Sequence, residues 1–179
     1  MCGIVAAAAG NNIVPVLVEG LKRLEYRGYD SAGLAVISGD SIERVRSVGR
    51  VAELETASAA TRSITGIAHT RWATHGIPSE RNAHPHVSGS IAVVHNGIIE
   101  NYETLRTELG AQGYVFTSDT DTESIAHLVD AMLKSEPDLY KAVQIACRRL
   151  VAAYAIAVID HRQPAQAIAA REAPPLPLG

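Results

Sequence analysis

The chain has 179 residues, of which 47% are hydrophobic and 20% charged, so it has the composition of a globular protein and is not wholly disordered. Sixteen basic and nineteen acidic residues give a formal net charge of −3, which argues against a domain that binds nucleic acid mainly through its phosphates.

Cysteine content and hydropathy indicate where such a chain works. It has two cysteines, Cys2 and Cys147, which are too few for a disulfide scaffold and typical of an intracellular protein. The longest apolar run, 150–159, is shorter than the roughly 20 residues of a membrane-spanning helix, and the N-terminus lacks the positive start of a secretory signal. We therefore expect a cytoplasmic protein with neither a membrane nor a nucleic-acid partner.

In the first half of the chain, short apolar runs and turn residues predict mostly strands. The helix among them has Val14, Leu17, Val18 and Leu21 on one face, with Pro15 in its first turn. The predicted elements are a strand over 4–9, the helix over 14–24, strands over 33–37 and 42–48, a short helix over 51–60 and a strand over 64–70.

In the second half, a polar loop over 71–89 precedes a strand over 91–95 that Asn96-Gly97 would end. Thr120 and Glu123 have the spacing of a capping box in front of a helix. The other predicted elements are helices over 101–109 and through 139–150, a short strand near 115–116 and strands over 153–160 and 166–170. Strands in runs and helices in pairs favour an α+β layered fold.

Cys2 is the first candidate for chemistry. Removal of the initiator Met would leave Cys2 at the N-terminus, so that one residue carries a thiol and an α-amine whose ordinary pKa of about 7.7–8.0 suits a general base. A bridging water would have to carry the proton between the two groups. The alternative is a small buried residue that opens a strand. Cys147 lies on the apolar face of a predicted helix, where a thiol acts as a small hydrophobic group.

Five histidines fall between positions 69 and 95, and they admit a metal site as one interpretation. No H-E-x-x-H pair appears among them. Asn96-Gly97 is either an ordinary Asn-Gly turn or an oxyanion hole made by a side-chain amide and a backbone N–H.

Charged groups could hold the two ends of an amino acid. Arg71 can bind a carboxylate with two parallel hydrogen bonds, and Trp72 could cover a ligand. Asp121 either interacts with a helix dipole or binds an ammonium group. Together with Cys2 and Asn96, these residues point to acyl transfer on an amino-acid substrate.

Six motifs in a fixed order make a resemblance visible over residues 1 to about 172. The chain is similar to the glutaminase domain of the glutamine–fructose-6-phosphate aminotransferases (glucosamine-6-phosphate synthases), a family of class II glutamine amidotransferases. The motifs are Met-Cys-Gly-Ile-Val at 1–5, Glu-Tyr-Arg-Gly-Tyr-Asp-Ser-Ala-Gly at 25–33, His-Thr-Arg-Trp-Ala-Thr-His-Gly at 69–76, Asn-Ala-His-Pro-His at 82–86, His-Asn-Gly-Ile-Ile-Glu-Asn at 95–101 and Thr-Asp-Thr-Glu at 120–123.

The resemblance implies a fold and a set of roles. The fold is that of the N-terminal-nucleophile (Ntn) hydrolases, a four-layer αββα sandwich with two mainly antiparallel sheets. Cys2 would attack the side-chain amide of L-glutamine and form a glutamyl thioester that hydrolyses to glutamate. Asn96 and Gly97 would form the oxyanion hole, Arg71 would bind the substrate carboxylate and Asp121 its ammonium group. The loop that closes on glutamine would contain Trp72, Thr74, His75 and Gly76, and Arg27 and His84 would support the nucleophile and that loop.

The resemblance also implies what this stretch of chain works with. No cofactor and no metal are expected. In the family the released ammonia reaches a C-terminal isomerase part that aminates fructose 6-phosphate, and the full enzyme is expected to be a homodimer. That part is absent here, because residues 173–179 look like the start of a linker after a glutaminase domain over 1–172.

One departure and three alternatives accompany this interpretation. Ala6 stands where the family commonly has Gly, which affects strand packing rather than chemistry. The alternatives are the glutaminase domain of another class II amidotransferase, such as the purine-pathway one, a metal-dependent hydrolase that uses the histidines, and a catalytically silent glutamine-binding module.

Overall fold

Two antiparallel four-stranded sheets lie face to face between two helical layers, in a computed structural model that describes residues 2–27, 30–72 and 77–172. The strands are β1 (Gly3–Ala8), β2 (Ser31–Ser38), β3 (Ser41–Val48), β4 (Thr65–Arg71), β5 (His86–Ser88), β6 (Ile91–Gly97), β7 (Tyr154–Asp160) and β8 (Ala167–Glu172). The helices are α1 (Val14–Leu24), α2 (Val51–Ala57), α3 (Tyr102–Ala111), α4 (Thr122–Leu133) and α5 (Leu139–Cys147). Short 3₁₀ turns cover Glu25–Arg27 and Glu80–Asn82.

The strand order is β1-β4-β2-β3 in the first sheet and β5-β6-β7-β8 in the second. Helices α1 and α2 pack on the outside of the first sheet, and α3, α4 and α5 on the outside of the second. Each sheet has an apolar core between it and its helices, and a third apolar layer lies between the two sheets. This is the predicted αββα sandwich.

Strand alternation explains why the central strands read as unbroken apolar runs. In β7, Tyr154, Ile156 and Val158 face the helices, while Ala157 and Ile159 face the other sheet. Successive side chains in a strand point to opposite faces, and here both faces are covered. All seven residues of β7 are therefore buried.

The first helix forms where its apolar spacing predicts. Val14, Leu17, Val18 and Leu21 are buried against the first sheet. Pro15 is tolerated in the first turn, where its missing N–H would have no helical partner. The other predicted helices and the longer strands also form, with ends shifted by a few residues.

Three predictions of local structure are wrong. The loop over 71–89 contains the turn Glu80–Asn82 and the strand β5. No strand forms at 115–116. Thr120 does not cap α4, because Asp121 occupies the N-cap position and Glu123 reaches further back, to Thr117 and Ser118.

Among the described residues, no helix combines the length and apolar character needed to cross a membrane.

Candidate active site

Three chemically distinct side chains meet at one end of the space between the sheets. Cys2 directly precedes β1, and Arg71 ends β4, with which β1 pairs antiparallel. Side chains two residues apart in a strand point to the same face. Because Ile4 and Ile67 lie in the layer between the sheets, Cys2 and Arg71 also point towards the second sheet. Asn96, near the end of β6, faces them by the same rule, because Ala92 and Val94 lie in that layer.

The Cys2 thiol lies against the backbone at the end of β4. Its Sγ accepts the N–H of Trp72 at 3.2 Å and lies 3.7 Å from the Trp72 carbonyl oxygen. Burial raises the pKa of the Cys2 thiol above its ordinary value, and the Trp72 hydrogen bond offsets this only in part. The thiol is therefore protonated at neutral pH and needs a base before it can act as a nucleophile.

The Asn96 side chain bridges the two sheets. Its Nδ2 donates to the Cys2 carbonyl oxygen at 3.0 Å, and its Oδ1 lies 2.9 Å from Nε2 of His69. Asn96 belongs to the second sheet, whereas His69 belongs to the first and Cys2 directly precedes its strand β1. A donor amide is thus placed beside the candidate nucleophile.

Gly97 continues β6 and does not form a two-residue turn. It pairs with Tyr154 of β7 and has a φ of 138°. A Cβ at this position would stand 2.5 Å from the Ala153 carbonyl oxygen. The position therefore requires glycine on both conformational and steric grounds.

Arg71 is only 3% exposed, and an acidic residue accompanies it. Its Nη1 lies 3.8 Å from Oδ1 of Asp30, and the Asp30 N–H donates to the Arg71 carbonyl oxygen at 2.8 Å. Both side chains act on the Cys2 thiol, since Asp30 raises its pKa and Arg71 lowers it. Sequence reasoning gave Asp30 no role, although it lies inside the motif at 25–33.

Asp121 is 4% exposed and tied to the segment that follows Gly97. Its Oδ2 accepts the backbone N–H of Ile99 at 2.9 Å, and its Oδ1 lies 3.9 Å from Nδ1 of His95. The carboxylate thus connects the start of α4 to the end of β6.

Glu123 holds the loop that carries Asp121, and sequence reasoning had assigned it only a capping role. Its carboxylate accepts the backbone N–H and the hydroxyl of both Thr117 and Ser118, at 2.7–2.9 Å. Burial by itself would raise the pKa of Glu123, but these hydrogen bonds together lower it below the ordinary value. The carboxylate therefore stays ionised and fixes the path of the chain into α4.

His84 lies in a buried row of histidine rings. Its Nε2 is 2.6 Å from the Thr122 hydroxyl, which also lies 3.0 Å from Nδ1 of His95. Ring centroids are 4.3 Å apart for His69 and His84 and 5.0 Å apart for His84 and His86. Burial lowers the pKa of His69 and of His86 to about 3 and that of His84 well below the ordinary value.

The segment that carries His84 is fastened to β3. Arg46 donates to the carbonyl oxygens of Arg81 and Ala83, both at 3.3 Å, and Arg44 donates to that of Pro85 at 3.4 Å.

Within the part of the chain that the structure describes, no group of three or more His, Cys, Asp or Glu residues is placed to hold a metal ion.

The structure describes the remaining predicted site residues only in part. Thr74, His75 and Gly76 lie outside the described residues, as does the predicted linker at 173–179, and of Arg27 only the backbone is described. The Trp72 side chain is 56% exposed. The expected closure of this loop on glutamine stays a prediction.

Comparison with known proteins decides the family. A family model described as "Glutamine amidotransferase domain" matches residues 69–176, which is more than half of the chain. The chain belongs to the glutamine amidotransferase domain family. The predicted class II glutamine amidotransferase resemblance is therefore confirmed.

Curated relatives narrow the likeness within that family. The chain is 58% identical over 183 residues to the glutamine–fructose-6-phosphate aminotransferase (isomerizing) of Pseudomonas putida, and 56% identical over 182 residues to that of Vibrio cholerae. The alignments cover 100% of this chain but 30% of each relative. This chain thus spans just under a third of the length of these relatives.

Solved structures confirm the fold. The glutamine phosphoribosylpyrophosphate amidotransferase from B. subtilis superposes with a TM-score of 0.76 at 23% identity, covering 90% of this chain and 35% of that one. A structure titled as the allosteric regulatory enzyme of purine biosynthesis gives a TM-score of 0.76 at 26% identity, covering 89% of this chain and 36% of that one. The predicted N-terminal-nucleophile fold is confirmed by these neighbours.

Proposed function

We propose that this chain is a glutaminase whose nucleophile is Cys2 at the N-terminus left by removal of Met1. The thiolate attacks the side-chain amide carbon of L-glutamine. Ammonia leaves with the proton that the thiol gave up, and the glutamyl thioester is then hydrolysed by water to glutamate, which regenerates the thiol. The observation that carries the proposal is the Asn96 amide nitrogen 3.0 Å from the Cys2 carbonyl oxygen.

Burial of the thiol makes a base necessary. Because the pKa of the Cys2 thiol is raised, little thiolate forms spontaneously at neutral pH. The free α-amine of Cys2 has an ordinary pKa of about 7.7–8.0 and is the general base that we assign. A bridging water relays the proton, since thiol and amine on one residue cannot align for direct transfer.

We assign the other residues the roles that the family resemblance implies. Asn96 Nδ2 and the Gly97 N–H donate to the oxyanion that develops on the substrate carbonyl. Arg71 binds the substrate α-carboxylate with a guanidinium fork, and Asp121 binds the α-ammonium. Two further groups support them: Trp72, Thr74, His75 and Gly76 close over glutamine, and Arg27 and His84 support the nucleophile and that loop.

The similarity to much longer relatives extends the proposal beyond this chain. Relatives named glutamine–fructose-6-phosphate aminotransferase are about three times as long. We infer that residues 1–172 are the glutaminase domain and that 173–179 lead to isomerase domains, which use the ammonia to aminate fructose 6-phosphate in a cytoplasmic homodimer. The two free cysteines are consistent with a reducing compartment.

A pair of cysteine variants tests the proposal. Cys2→Ala should abolish the release of ammonia from L-glutamine, because it removes the thiol that attacks the amide, while the unfolding transition stays close to that of the unsubstituted chain. Cys147→Ala is the matched control. It removes a half-buried thiol from the last residue of α5 and should keep most of the activity. Turnover that persists in Cys2→Ala would contradict the proposal, and so would glutamine binding without any ammonia release by the unsubstituted chain.

A further inference from the structure

The Asn96 amide can serve as an oxyanion donor in only one of its two orientations. Its nitrogen carries hydrogens, whereas its oxygen carries lone pairs that would repel a developing negative charge. The two ends have nearly the same shape, so packing alone discriminates poorly between them. A neighbouring hydrogen-bonding group must therefore distinguish the oxygen end of the amide from its nitrogen end.

His69 is placed to do so. Its ring is fully buried, and its Nε2 lies 2.9 Å from Oδ1 of Asn96. On the other side, Asn96 Nδ2 donates to the Cys2 carbonyl oxygen, which can only accept. The amide is thus held between a group at its oxygen end and an acceptor at its nitrogen end.

The chemistry of this contact fixes the tautomer of His69. The Asn96 oxygen cannot donate, so Nε2 of His69 must carry the hydrogen of this bond. Burial keeps the ring neutral at physiological pH, because it lowers the pKa of His69 to about 3. A neutral imidazole has one N–H, so Nε2 carries it and Nδ1 is left without one.

The backbone and a neighbouring ring hold the imidazole in place. His69 lies in β4 between β1 and β2, with Ile4 and Gly33 as its register partners. The ring of His84 lies against it, with the centroids 4.3 Å apart. The ring can hardly turn away from Asn96, and its N–H is a fixed reference point for the opposite sheet.

We propose that His69 is a positioning residue for the glutaminase reaction: its Nε2–H fixes the Asn96 amide with the nitrogen facing Cys2. This rests on the proposed function, in which that nitrogen stabilises the oxyanion. His69 does not touch the reacting atoms. Its effect belongs to kcat rather than to glutamine affinity, because the amide donor acts on charge that develops in the transition state.

Two substitutions separate the hydrogen bond from the bulk of the ring. His69→Leu fills the space without a donor, and kcat for ammonia release should fall by about tenfold or more, up to the roughly 10²–10³-fold loss that follows removal of an oxyanion donor. His69→Gln places an amide nitrogen the same number of bonds from the backbone as Nε2, and it should recover most of kcat. KM for glutamine should change little in either variant. Equal losses in both variants, or a change confined to KM, would overturn the proposal.

A double substitution distinguishes this proposal from the one on which it rests. Asn96→Ala alone should lower kcat by roughly 10²–10³-fold. His69→Leu should then add no further loss, since the amide that it orients is gone. A normal kcat in Asn96→Ala would contradict the oxyanion role itself. A large loss in Asn96→Ala with a normal kcat in His69→Leu would overturn the positioning role alone.

The unsubstituted chain provides a test that does not depend on how the variants fold. A long-range ¹H–¹⁵N spectrum of imidazole-labelled protein reports which ring nitrogen carries the hydrogen. We expect the Nε2–H tautomer for His69 at neutral pH, with the signal assigned by its absence from His69→Gln. An Nδ1–H tautomer would overturn the proposal, because Nε2 could not then donate to Asn96.

Discussion

Asn96 and Gly97 occupy consecutive positions at the end of one strand and meet opposite demands. Asn96 uses its side chain to reach across to the first sheet, with Nδ2 on the Cys2 carbonyl oxygen. Gly97 has no side chain, and its φ of 138° turns the backbone as β6 ends. A strand that ends in Asn-Gly can therefore present an amide nitrogen and a backbone N–H close together, as an oxyanion hole requires.

The conformational demand at Gly97 can be measured against a second glycine. Gly97→Ala should destabilise the fold for two reasons, its φ and the approach of the new Cβ to the Ala153 carbonyl oxygen. Gly113→Ala is the matched control, because Gly113 has a φ of 93° but no atom within 4 Å of an added Cβ. We expect a loss of about 1–3 kcal/mol in unfolding free energy for Gly113→Ala. Gly97→Ala should lose a further 1–3 kcal/mol, about what overpacking costs.

Urea denaturation of both alanine variants measures this difference. Equal losses would show that the backbone around Gly97 relaxes without cost and that the position does not need glycine for steric reasons.

At this scale the sequence identifies residues whose chemistry is unusual by itself. Cys2 is recognisable by its position, Arg71 by its charge at the start of a polar loop, and Asp121 by its charge at the start of a predicted helix. His69 and Asp30 are different, because each acts through a partner distant in sequence or on another strand. His69 contacts a residue 27 positions away in the opposite sheet, and only the strand alternation of both sheets brings the two together.

At the scale of elements, the entry into α4 is held by a buried carboxylate rather than by a side-chain cap. Glu123, in the first turn of α4, accepts hydrogen bonds from the backbone and hydroxyl groups of Thr117 and Ser118. Asp121 lies between these partners and the helix. The position of Asp121 therefore depends on the charge of Glu123.

Glu123→Gln tests that dependence. A glutamine keeps one acceptor oxygen but turns an NH₂ group towards donors, so we expect a loss of about 2–3 kcal/mol in unfolding free energy, as for hydrogen bonds to charged groups. KM for glutamine should rise, because Asp121 loses its support. Glu103→Gln is the control, since Glu103 also lies in the first turn of its helix, α3, but is exposed. It should stay within about 0.5 kcal/mol of the unsubstituted chain.

Thermal and urea unfolding, together with steady-state kinetics, report on both glutamate variants. If Glu123→Gln behaves like Glu103→Gln, the carboxylate contributes only through the helix dipole and does not organise the loop.

The long elements could be predicted from the sequence because periodicity reports burial directly. The apolar face of α1 and the alternating faces of β7 are examples. The three-residue strand β5 was missed, since a run of three is too short to show a period, and it forms by pairing with β6. Val115 and Phe116 suggest a strand by residue type, but the segment is held by side-chain contacts, including Arg106 over the Phe116 ring.

Across the whole molecule, buried histidines connect the layers. His69 faces from the first sheet to the second, and His86 contacts the Thr120 hydroxyl at 2.9 Å in front of α4. Both rings are buried in the neutral form. The fold therefore depends on keeping protons off groups that would take them up readily in water.

Acid should destabilise the fold in a window set by these groups. Unfolded histidine has a pKa of about 6.5, while the pKa of His69 and of His86 is about 3 in the fold. The unfolded chain binds more protons between these values, so stability is complete above about pH 6.5 and falls as the pH drops towards 3. Between about pH 6.5 and about pH 5, each of these histidines lowers the free energy of unfolding by on the order of 2 kcal/mol.

Urea denaturation at about pH 7 and about pH 5 measures the effect, with His86→Gln as the comparison. That variant keeps a polar group towards Thr120 but cannot titrate. The free energy of unfolding that it loses between the two pH values should therefore be smaller, by about the contribution of one histidine. Equal stability of the unsubstituted chain at both pH values would show that these rings titrate normally in the fold.

The central claim is that Cys2, freed at the N-terminus, is the nucleophile that attacks glutamine. Intact-mass spectrometry with peptide mapping, after incubation with a diazoketone analogue of glutamine, tests it most directly. We predict a chain that lacks Met1 and carries a single adduct, located on Cys2. An adduct on Cys147, a chain that reacts while Met1 is still attached, or a fully processed chain that takes up no analogue would contradict the account.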